Sequence, residues 1–465
     1  MFESEPSDED FAAISSPSLV IRALARTLLN SPRIGPEGGP AEDVAAVAQA
    51  AAKVLRAPLR RSLRNLIGKI LQRPEVRAGQ VSVKDIERLL SANEALLTWI
   101  DQGRVIDSSQ VPLPQMHRGV ISTSQPLAAL NTVGDLLEWL GLRPEELDWF
   151  RAAWRMDASP EKTATLSHYH YEWIRKPSGG LRLLEAPKRR LKEIQRTIHD
   201  EILRHAAIHD AAHAYRAGRS MATGLAPHVG QEVVWHLDLC SFFWSIGSGR
   251  VRRLFRSLGY PENVAEALTG LCTTRCPDPI LAGAALPELE RLQLRGRHLP
   301  QGAPTSPALS NLCVHRLDCR LSALARRWGA VYTRYADDLV FSGDSRFRRG
   351  LPRFRTVVLA ILIDEGFQIR RRKTRVLRSG EQQKVGGLVL NEKLSVPKRE
   401  YDALRATLHN CCRRGPVQEN RAGHPNFREH LLGRIGWIET FSPERGRKLR
   451  DLFAAITWPA DGDAG

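Results

Sequence analysis

Three carboxylates are the residues whose type and spacing most clearly indicate catalysis. Asp337 and Asp338 stand side by side in Tyr335-Ala-Asp-Asp-Leu339, between alternating apolar runs that predict two strands meeting at a tight turn. Asp238 ends another apolar run, which predicts a third strand. Either signal alone is typical of an ordinary turn, whereas both together are specific. Because adjacent acids repel each other and carboxylate oxygens suit Mg²⁺, the pattern predicts a site for two Mg²⁺ ions that act on phosphates.

Two further segments have the composition of phosphate- or nucleotide-binding loops. In Leu299-Pro-Gln-Gly-Ala-Pro-Thr-Ser-Pro307, Gly and Pro shape a loop whose backbone can approach a nucleotide, and Gln301 can hydrogen-bond a nucleotide or template base. Taken alone, Thr305-Ser306 fits a helix cap equally well. Lys176-Pro-Ser-Gly-Gly180 predicts the turn of a hairpin between strands at 169–174 and 181–185.

The charge of the chain points to a polyanionic partner. The net charge of the 465 residues is +17. Residues 1–120 contain 15 Lys and Arg against 14 Asp and Glu, so residues 121–465 carry +16. Such an excess predicts nucleic-acid binding by the later part of the chain, although a solubilising surface charge is the alternative.

The cysteines and the hydrophobic runs indicate the compartment. Seven cysteines without a regular framework favour a reducing environment, and Cys272 and Cys276 lack a second pair at zinc-ligand spacing. The acidic N-terminus does not resemble a secretion signal, and no apolar run approaches the ~20 residues of a membrane span. We therefore expect a cytoplasmic protein without a membrane partner.

Hydrophobic periodicity divides the chain near residue 120. Residues 1–16 are predicted to be disordered and 31–40 to form a loop, while 19–29, 41–71 and 83–100 show helical spacing. Beyond the boundary, short helices at 133–140 and 144–154 precede the predicted hairpin. A helix is predicted at 191–205 and another at 308–328, and the tail returns to helices at 401–411 and 427–441. Strands followed by helices in this mixture predict an α+β protein.

The motifs together, in this order, resemble the reverse transcriptases. The resemblance covers roughly residues 125–455 and is closest to the bacterial retron enzymes that carry an N-terminal extension. It rests also on His213-Ala-Tyr-Arg-Ala-Gly-Arg-Ser220 and on Gly387-Leu-Val-Leu-Asn391 before a basic helical tail. The resemblance implies a right-hand polymerase fold: a helical extension at 1–120, N-terminal helices and fingers at 121–235, a palm at 236–377 and a basic helical thumb at 378–465.

The resemblance also implies roles for individual residues. Asp238, Asp337 and Asp338 would hold two Mg²⁺ ions, helped by the Leu239 carbonyl. The incoming dNTP would be held by Arg182 and by Lys176 or Arg175 of the hairpin. Phe243 would lie at the sugar and exclude a 2′-hydroxyl. Gln301 would also contact the nucleotide, and Lys373 would lie at the pyrophosphate. RNA contacts are expected at His228, Arg370, Arg371, Arg372, Arg413 and Arg414. For His228 a structural role is the alternative, for Phe243 core packing, and for Lys176 and Arg182 a solvated hairpin.

The retron resemblance implies a particular biology and leaves alternatives. The partners would be a cognate structured non-coding RNA, its DNA product, dNTPs and an effector or toxin protein, in anti-phage defence. The sequence departs from the retron pattern at Gly224-Leu225, where Asn-Ala is usual, and at Gly386, where Thr is usual. Another bacterial reverse transcriptase lineage, defence-associated or group II intron-like, an RNA-templated RNA polymerase and a catalytically silent RNA-binding scaffold are the other hypotheses.

Overall fold

The computed structural model of this chain describes residues 16–30, 40–77, 81, 83–102, 106–112, 114–116, 119–151, 167–176 and 179–458. The chain forms two compact units. The first consists of Met1–Ile208 and Phe243–Val314, and the second of His209–Phe242 and His315–Gly465. These units do not coincide with the four consecutive regions predicted from the sequence. The segments 1–15 and 31–39, predicted as disorder and loop, lie outside the described residues.

Helices occur along the whole described chain, whereas strands begin at residue 169. The strands are β1 (Tyr169–Arg175), β2 (Leu181–Pro187), β3 (Val233–Asp238), β4 (Val331–Tyr335), β5 (Asp338–Gly343), β6 (Arg375–Arg378), β7 (Lys384–Val385) and β8 (Leu388–Val389). The helices are α1 (Pro17–Asn30), α2 (Pro40–Val54), α3 (Arg61–Leu71), α4 (Pro74–Arg77), α5 (Val83–Ser91), α6 (Glu94–Ile100), α7 (Val133–Leu140), α8 (Pro144–Arg151), α9 (Arg189–Glu201), α10 (Met221–Leu225), α11 (Ser248–Ser257), α12 (Glu262–Cys272), α13 (Asp278–Ala282), α14 (Glu288–Arg295), α15 (Ser306–Cys313), α16 (His315–Arg327), α17 (Ser345–Asp364), α18 (Lys398–Arg414), α19 (Pro416–Glu419), α20 (Phe427–Phe441) and α21 (Pro443–Ala454). The mixture confirms the α+β class.

Helices α1 to α6 enclose a hydrophobic core of their own within the first unit. Leu24 and Leu28 of α1 belong to it, together with residues from the following helices. The helical stretch predicted for 41–71 is two helices, because Pro58 lies in the break and its ring cannot continue a helix. The stretch predicted for 83–100 also divides, since the Asn93 side chain accepts the Leu96 N–H and starts α6.

The first unit also contains the predicted hairpin. Strands β1 and β2 are antiparallel, with a register that runs from Tyr169 opposite Pro187 to Arg175 opposite Leu181. Residues 177 and 178 of its turn lie outside the described residues. Gly179 has a φ of 85°, a left-handed conformation that favours glycine. Both predicted strands are therefore confirmed, each slightly longer than expected.

The second unit is built around a four-stranded antiparallel sheet in the order β4-β5-β3-β6. Trp235 of β3 is fully buried and stacks on Phe341 of β5, and Phe354 of α17 packs edge-on against both rings. Val234 and Val340 of the sheet share a hydrophobic core with the C-terminal helices α18, α20 and α21. The sheet is thus supported by helices in the same unit.

One predicted helix is divided into two in the structure. The helix predicted for 308–328 is interrupted at Val314, whose φ of −102° and ψ of 10° end α15 before α16 begins. Among the described helices, none is long and apolar enough to cross a lipid bilayer.

Candidate active site

The three predicted carboxylates lie at one end of the four-stranded sheet. Asp238 is the last residue of β3 and lies directly opposite Asp338, the first residue of β5. Asp337 precedes Asp338, and its carbonyl oxygen accepts a hydrogen bond from the Leu239 N–H at 2.9 Å. The structure therefore brings the predicted catalytic acids together through the register of neighbouring strands.

The turn between β4 and β5 positions Asp337 and Asp338. Tyr335 pairs with Asp338, so Ala336 and Asp337 form a two-residue turn. Ala336 has a φ of 55°, and an L-residue other than glycine in this left-handed region costs roughly 1 kcal/mol. Arg334 Nη1 donates to the Ala336 carbonyl oxygen at 3.2 Å and so holds the strained peptide from inside the unit.

A buried ion pair anchors Arg334. Its guanidinium donates to both carboxylate oxygens of Asp318 in α16, at 2.8 and 2.6 Å, and the Tyr332 hydroxyl donates to the same carboxylate at 2.8 Å. Arg334 and Asp318 are both fully buried. A buried pair of this kind is strongly destabilising when one partner is lost, because the other charge is left without compensation. The turn that carries Asp337 is therefore supported by Asp318, which lies outside the Tyr335–Leu339 motif.

The acids differ in their charged neighbours: Asp337 lies beside other acids, whereas Asp238 faces Lys373 and Arg370. Burial, followed by the charges of Asp338 and Asp238, raises the pKa of Asp337 to about 6. Asp238 is only 2% exposed, and Lys373 Nζ donates to its Oδ2 at 2.7 Å. Arg370 Nη1 lies 3.1 Å from Oδ1 but without hydrogen-bond geometry, so that oxygen is buried without a hydrogen-bond partner.

His236 is a site residue that the sequence interpretation missed. Its Nε2 lies 2.7 Å from Asp338 Oδ1. His236 and Asp238 are two residues apart on β3, so their side chains leave the same face of the sheet. That spacing is the signal that could have identified His236.

The acids can be tested as cation ligands. Within the described ranges, no three His, Cys, Asp or Glu side chains converge as a preformed metal cluster. The donors are nevertheless carboxylate oxygens. Burial, followed by the charges of Asp338 and Asp238, raises the pKa of Asp337, and Asp238 Oδ1 is buried without a hydrogen bond. A cation would relieve both conditions, so the residues fit a hard divalent ion such as Mg²⁺.

Comparison with known proteins identifies the family. The profile described as reverse transcriptase (RNA-dependent DNA polymerase) matches residues 174–401, a stretch that contains all three acids. The retron Mx162 reverse transcriptase of Myxococcus xanthus is 34% identical over 372 residues, which make up 75% of this chain and 71% of that relative. This chain belongs to the retron-type reverse transcriptases. The family suggested by the sequence motifs is thereby confirmed.

Two other relatives support the same family. The retron Mx65 reverse transcriptase of Myxococcus xanthus is 42% identical over 289 residues, which cover 61% of this chain. The chain spans less than two thirds of that relative, 63% of its length. The retron Ec86 reverse transcriptase of Escherichia coli is 29% identical over 274 residues, or 59% of this chain and 76% of the relative.

The two departures from the retron pattern lie at the same short helix. Gly224 belongs to α10, and a Cβ there would stand 3.3 Å from two side-chain atoms of His213. Gly386 has a φ of 56°, and a Cβ there would stand 2.7 Å from Sδ of Met221, the first residue of α10. The contact with His213 therefore leaves little room for a Cβ at 224, and the positive φ favours glycine at 386.

The predicted nucleotide contacts other than Lys373 belong to the first unit. Arg182 is exposed on β2, Lys176 is half-buried at the hairpin turn, and Gln301 is half-buried. Phe243 is half-buried against a hydrophobic cluster that includes Leu183. Their contacts with a nucleotide stay predictions, as does the role of the Leu239 carbonyl.

The residues predicted to bind RNA fall into different environments. His228 is fully buried, with Nδ1 2.7 Å from Ser342 Oγ and Nε2 2.8 Å from Thr333 Oγ1. Its placement corresponds to the structural alternative, because a buried ring with both nitrogens bonded presents nothing to RNA. Arg370 faces Asp238. The predicted RNA-binding residues that are exposed are Arg371, Arg372, Arg413 and Arg414.

Proposed function

We propose that this retron-type reverse transcriptase copies a cognate structured RNA into single-stranded DNA that can remain joined to the RNA as a branched molecule. The observation that carries the proposal is the facing of Asp238 and Asp338 across two strands, with Asp337 beside them. Acids brought together in this way suit phosphoryl transfer, in which positioned charges act on the reacting phosphate. The effector protein and the anti-phage role stay predictions from the family resemblance.

We propose further that the structural elements correspond to the palm, fingers and thumb of a right-hand polymerase. The sheet β4-β5-β3-β6 would be the palm, the hairpin β1–β2 would belong to the fingers, and helices α18 to α21 would be the thumb. This assignment is supported by the family and by the position of the acids at the sheet end. It assigns the exposed arginines at the end of α18 to RNA binding.

Two Mg²⁺ ions would be held by Asp238, Asp337 and Asp338, with the Leu239 carbonyl as a further oxygen donor. Bound there, such ions would supply the charge that activates the attacking 3′-hydroxyl and stabilises the leaving pyrophosphate. Lys373, which meets Asp238 in this structure, would then be available to the pyrophosphate. His236 would keep the Asp338 carboxylate in a fixed orientation through their 2.7 Å contact.

The test is incorporation of dNTPs by the purified chain on an RNA template with an annealed DNA primer. We expect extension that needs Mg²⁺, is abolished by a chelator, and is much weaker with rNTPs. Nucleic acid that copurifies with the chain should contain RNA joined to DNA, which nuclease digestion of each part would reveal. Absence of extension with either Mg²⁺ or Mn²⁺, by a chain that binds the primer–template, would sink the polymerase proposal and favour an RNA-binding scaffold.

A further inference from the structure

A completely buried ion pair lies in the first unit, outside the carboxylate site. His298 Nε2 is 3.1 and 3.2 Å from the two carboxylate oxygens of Glu185, and His298 Nδ1 is 2.8 Å from the Gly296 carbonyl oxygen. Glu185 and His298 are both 0% exposed. With Glu185 ionised, its carboxylate and the Gly296 carbonyl oxygen can only accept hydrogen bonds, so both ring nitrogens donate. The pair is therefore an imidazolium facing a carboxylate.

The pKa of His298 agrees with this protonation state. Burial by itself would lower it, but the charge of Glu185 and the hydrogen bonds to Glu185 and to backbone carbonyls together raise it above its ordinary value. A buried ion pair adds little stability compared with apolar residues of the same volume, since both charges lose their hydration. Stability alone is thus a poor explanation for placing two charges here.

The pair joins the two segments that are expected to contact the nucleotide. Glu185 lies on β2, three residues after Arg182, and His298 lies three residues before Gln301. The backbone makes the same connection, because the Glu185 N–H donates to the Gln301 carbonyl oxygen at 2.8 Å. A Cβ on Gly302 would stand only 3.1 Å from the Glu185 carbonyl oxygen. The loop that contains Gln301 therefore lies directly on β2.

His298 is itself fixed by the rest of the first unit. Its N–H donates to the Thr274 carbonyl oxygen at 2.9 Å, and the Thr274 N–H donates back at 3.0 Å. The next residue, Leu299, donates its N–H to the Ile246 carbonyl oxygen at 3.2 Å. The backbone around His298 is thus held by hydrogen bonds to two other segments of the first unit. Glu185 is the side chain that connects β2 to the His298 ring.

We propose that Glu185 and His298 are positioning residues that set the spacing between Arg182 on the hairpin and Gln301 in the loop. The inference rests on the proposed polymerase function, since it assigns the pair to recognition of the incoming dNTP. Neither side chain is accessible, so both act through the segments that they join. Loss of the pair should therefore impair dNTP recognition more than primer–template binding.

The main test replaces both charges at once, with Glu185→Gln and His298→Gln in one chain, because a single change would leave an unpaired buried charge. We expect the KM for dNTP on a saturating RNA template–DNA primer to rise on the order of 10- to 100-fold, since small misplacements of binding groups have effects of this size. The Kd for the primer–template should change by less than about twofold, well under 1 kcal/mol. Glu262→Gln is the matched control, because Glu262 pairs with Arg256 in the same unit at 3.4 Å. It should leave the KM unchanged.

A second variant covers the case in which the double variant does not fold. Gly302→Ala keeps both charges but forces the loop away from β2, because Gly302 has a φ of 132° and lacks room for a Cβ. It should raise the KM for dNTP in the same direction. Gly249→Ala is the control, since a Cβ there meets nothing within 4 Å. An unchanged KM in a folded double variant, or in Gly302→Ala, would overturn the proposal.

Hydrogen exchange separates failure of this inference from failure of the polymerase function. In the full-length double variant, the amide protons of 181–187 and 299–304 should lose protection while those of β3 and β5 keep it. This result does not depend on whether the chain incorporates dNTPs. Unchanged protection of the Glu185 amide would overturn the positioning role even in an active enzyme. Lost protection together with a wild-type chain that never extends a primer would instead reject the proposed function.

Discussion

The two β structures that carry the predicted chemistry are held in different ways. In the second unit, the acids are fixed by the register of β3, β4 and β5 and by the buried Arg334–Asp318 pair behind the turn. In the first unit, the hairpin β1–β2 presents an exposed Arg182 near its turn and is anchored at Glu185, further along β2. The predicted catalytic acids are therefore fixed within a sheet, whereas Lys176 and Arg182, two of the residues expected to contact the dNTP, lie at the turn end of a two-stranded hairpin.

The largest effect should follow Asp337→Asn, which removes the charge of one predicted metal ligand at the end of the sheet. We expect DNA synthesis to fall on the order of 10³-fold or more, because metal-assisted stabilisation supplies several kcal/mol. The same change should leave the fold intact in metal-free buffer and even raise the free energy of unfolding by about 1–3 kcal/mol, since burial and neighbouring charges raise the pKa of Asp337 to about 6. Primer extension and urea denaturation measure the two effects. Asp451→Asn, an exposed acid in α21, is the control. Near-normal extension by Asp337→Asn would refute the metal assignment.

The sequence predicted the strands that bring these three acids together, because the signals for those strands are local. The alternating runs that end at Asp238 and flank Asp337 determine both the strands and the face from which each side chain emerges. The helices at 133–140 and 427–441 were predicted with their observed bounds, since their apolar residues recur at helical spacing, as at Leu431, Ile435 and Ile438.

What the sequence could not predict are the pairings between distant residues. Asp318 and Arg334 lie 16 residues apart, and Glu185 and His298 lie 113 residues apart, so no periodicity links them. The discontinuous units have the same origin, because the assignment of 243–314 to the first unit is decided by tertiary packing. The sequence left His228 open between an RNA contact and a structural role, because nothing local distinguishes a buried histidine from one that contacts RNA.

Arg334→Met tests whether the turn between β4 and β5 depends on the buried Arg334–Asp318 pair. The variant leaves Asp318 buried without a cationic partner, which should lower the free energy of unfolding by about 3–5 kcal/mol. A chain that also carries Asp318→Leu should recover much of that loss, yet extend primers slowly, because the Ala336 carbonyl has lost its donor. Thermal or urea unfolding of the three chains provides the comparison. If the single variant were as stable as the wild type, the pair would not support the turn.

A change at Phe243 tests whether this residue of the first unit discriminates between dNTP and rNTP. Phe243→Val should reduce the preference for dNTP over rNTP by at least about 10-fold, or ~1.4 kcal/mol, if the ring blocks a 2′-hydroxyl. Single-nucleotide incorporation of each nucleotide gives the ratio of kcat/KM values. Phe242→Val is the matched control, because Phe242 is buried and packs on Phe367 in the second unit. An unchanged ratio in an active Phe243 variant would assign that ring to core packing.

The buried His228 should make the stability of the second unit depend on pH. Burial lowers its pKa to about 3, from an ordinary value of 6.5. Between these values the unfolded chain binds a proton that the folded chain cannot, so stability should fall as pH drops below ~6.5. The loss approaches ~1.4 kcal/mol per pH unit and about 2 kcal/mol at pH 5. His228→Gln should flatten this acid limb, whereas His409→Gln, at an exposed position, should not. Identical limbs for the wild type and His228→Gln would show that another group controls acid sensitivity.

The smallest effect should come from the exposed cations at the end of α18. Arg413→Gln together with Arg414→Gln should reduce the slope of log affinity for RNA against log salt by about 1.4–1.8, because each phosphate contact contributes ~0.7 to 0.9. RNA affinity should fall several-fold at physiological salt, while kcat on a saturating primer–template stays near that of the wild type.

The matched control is Lys448→Gln with Arg450→Gln, which removes the same formal charge from residues that pair with Glu444 and Glu439. An equal loss in both double variants would mean that the overall potential of the chain attracts RNA. An unchanged slope in the α18 variant would mean that this helix end does not touch the RNA, and Arg371 and Arg372 would become the next residues to neutralise. A loss confined to the α18 variant would show that RNA is held by cations on a helix outside the sheet, so that binding and chemistry are separated within the same unit.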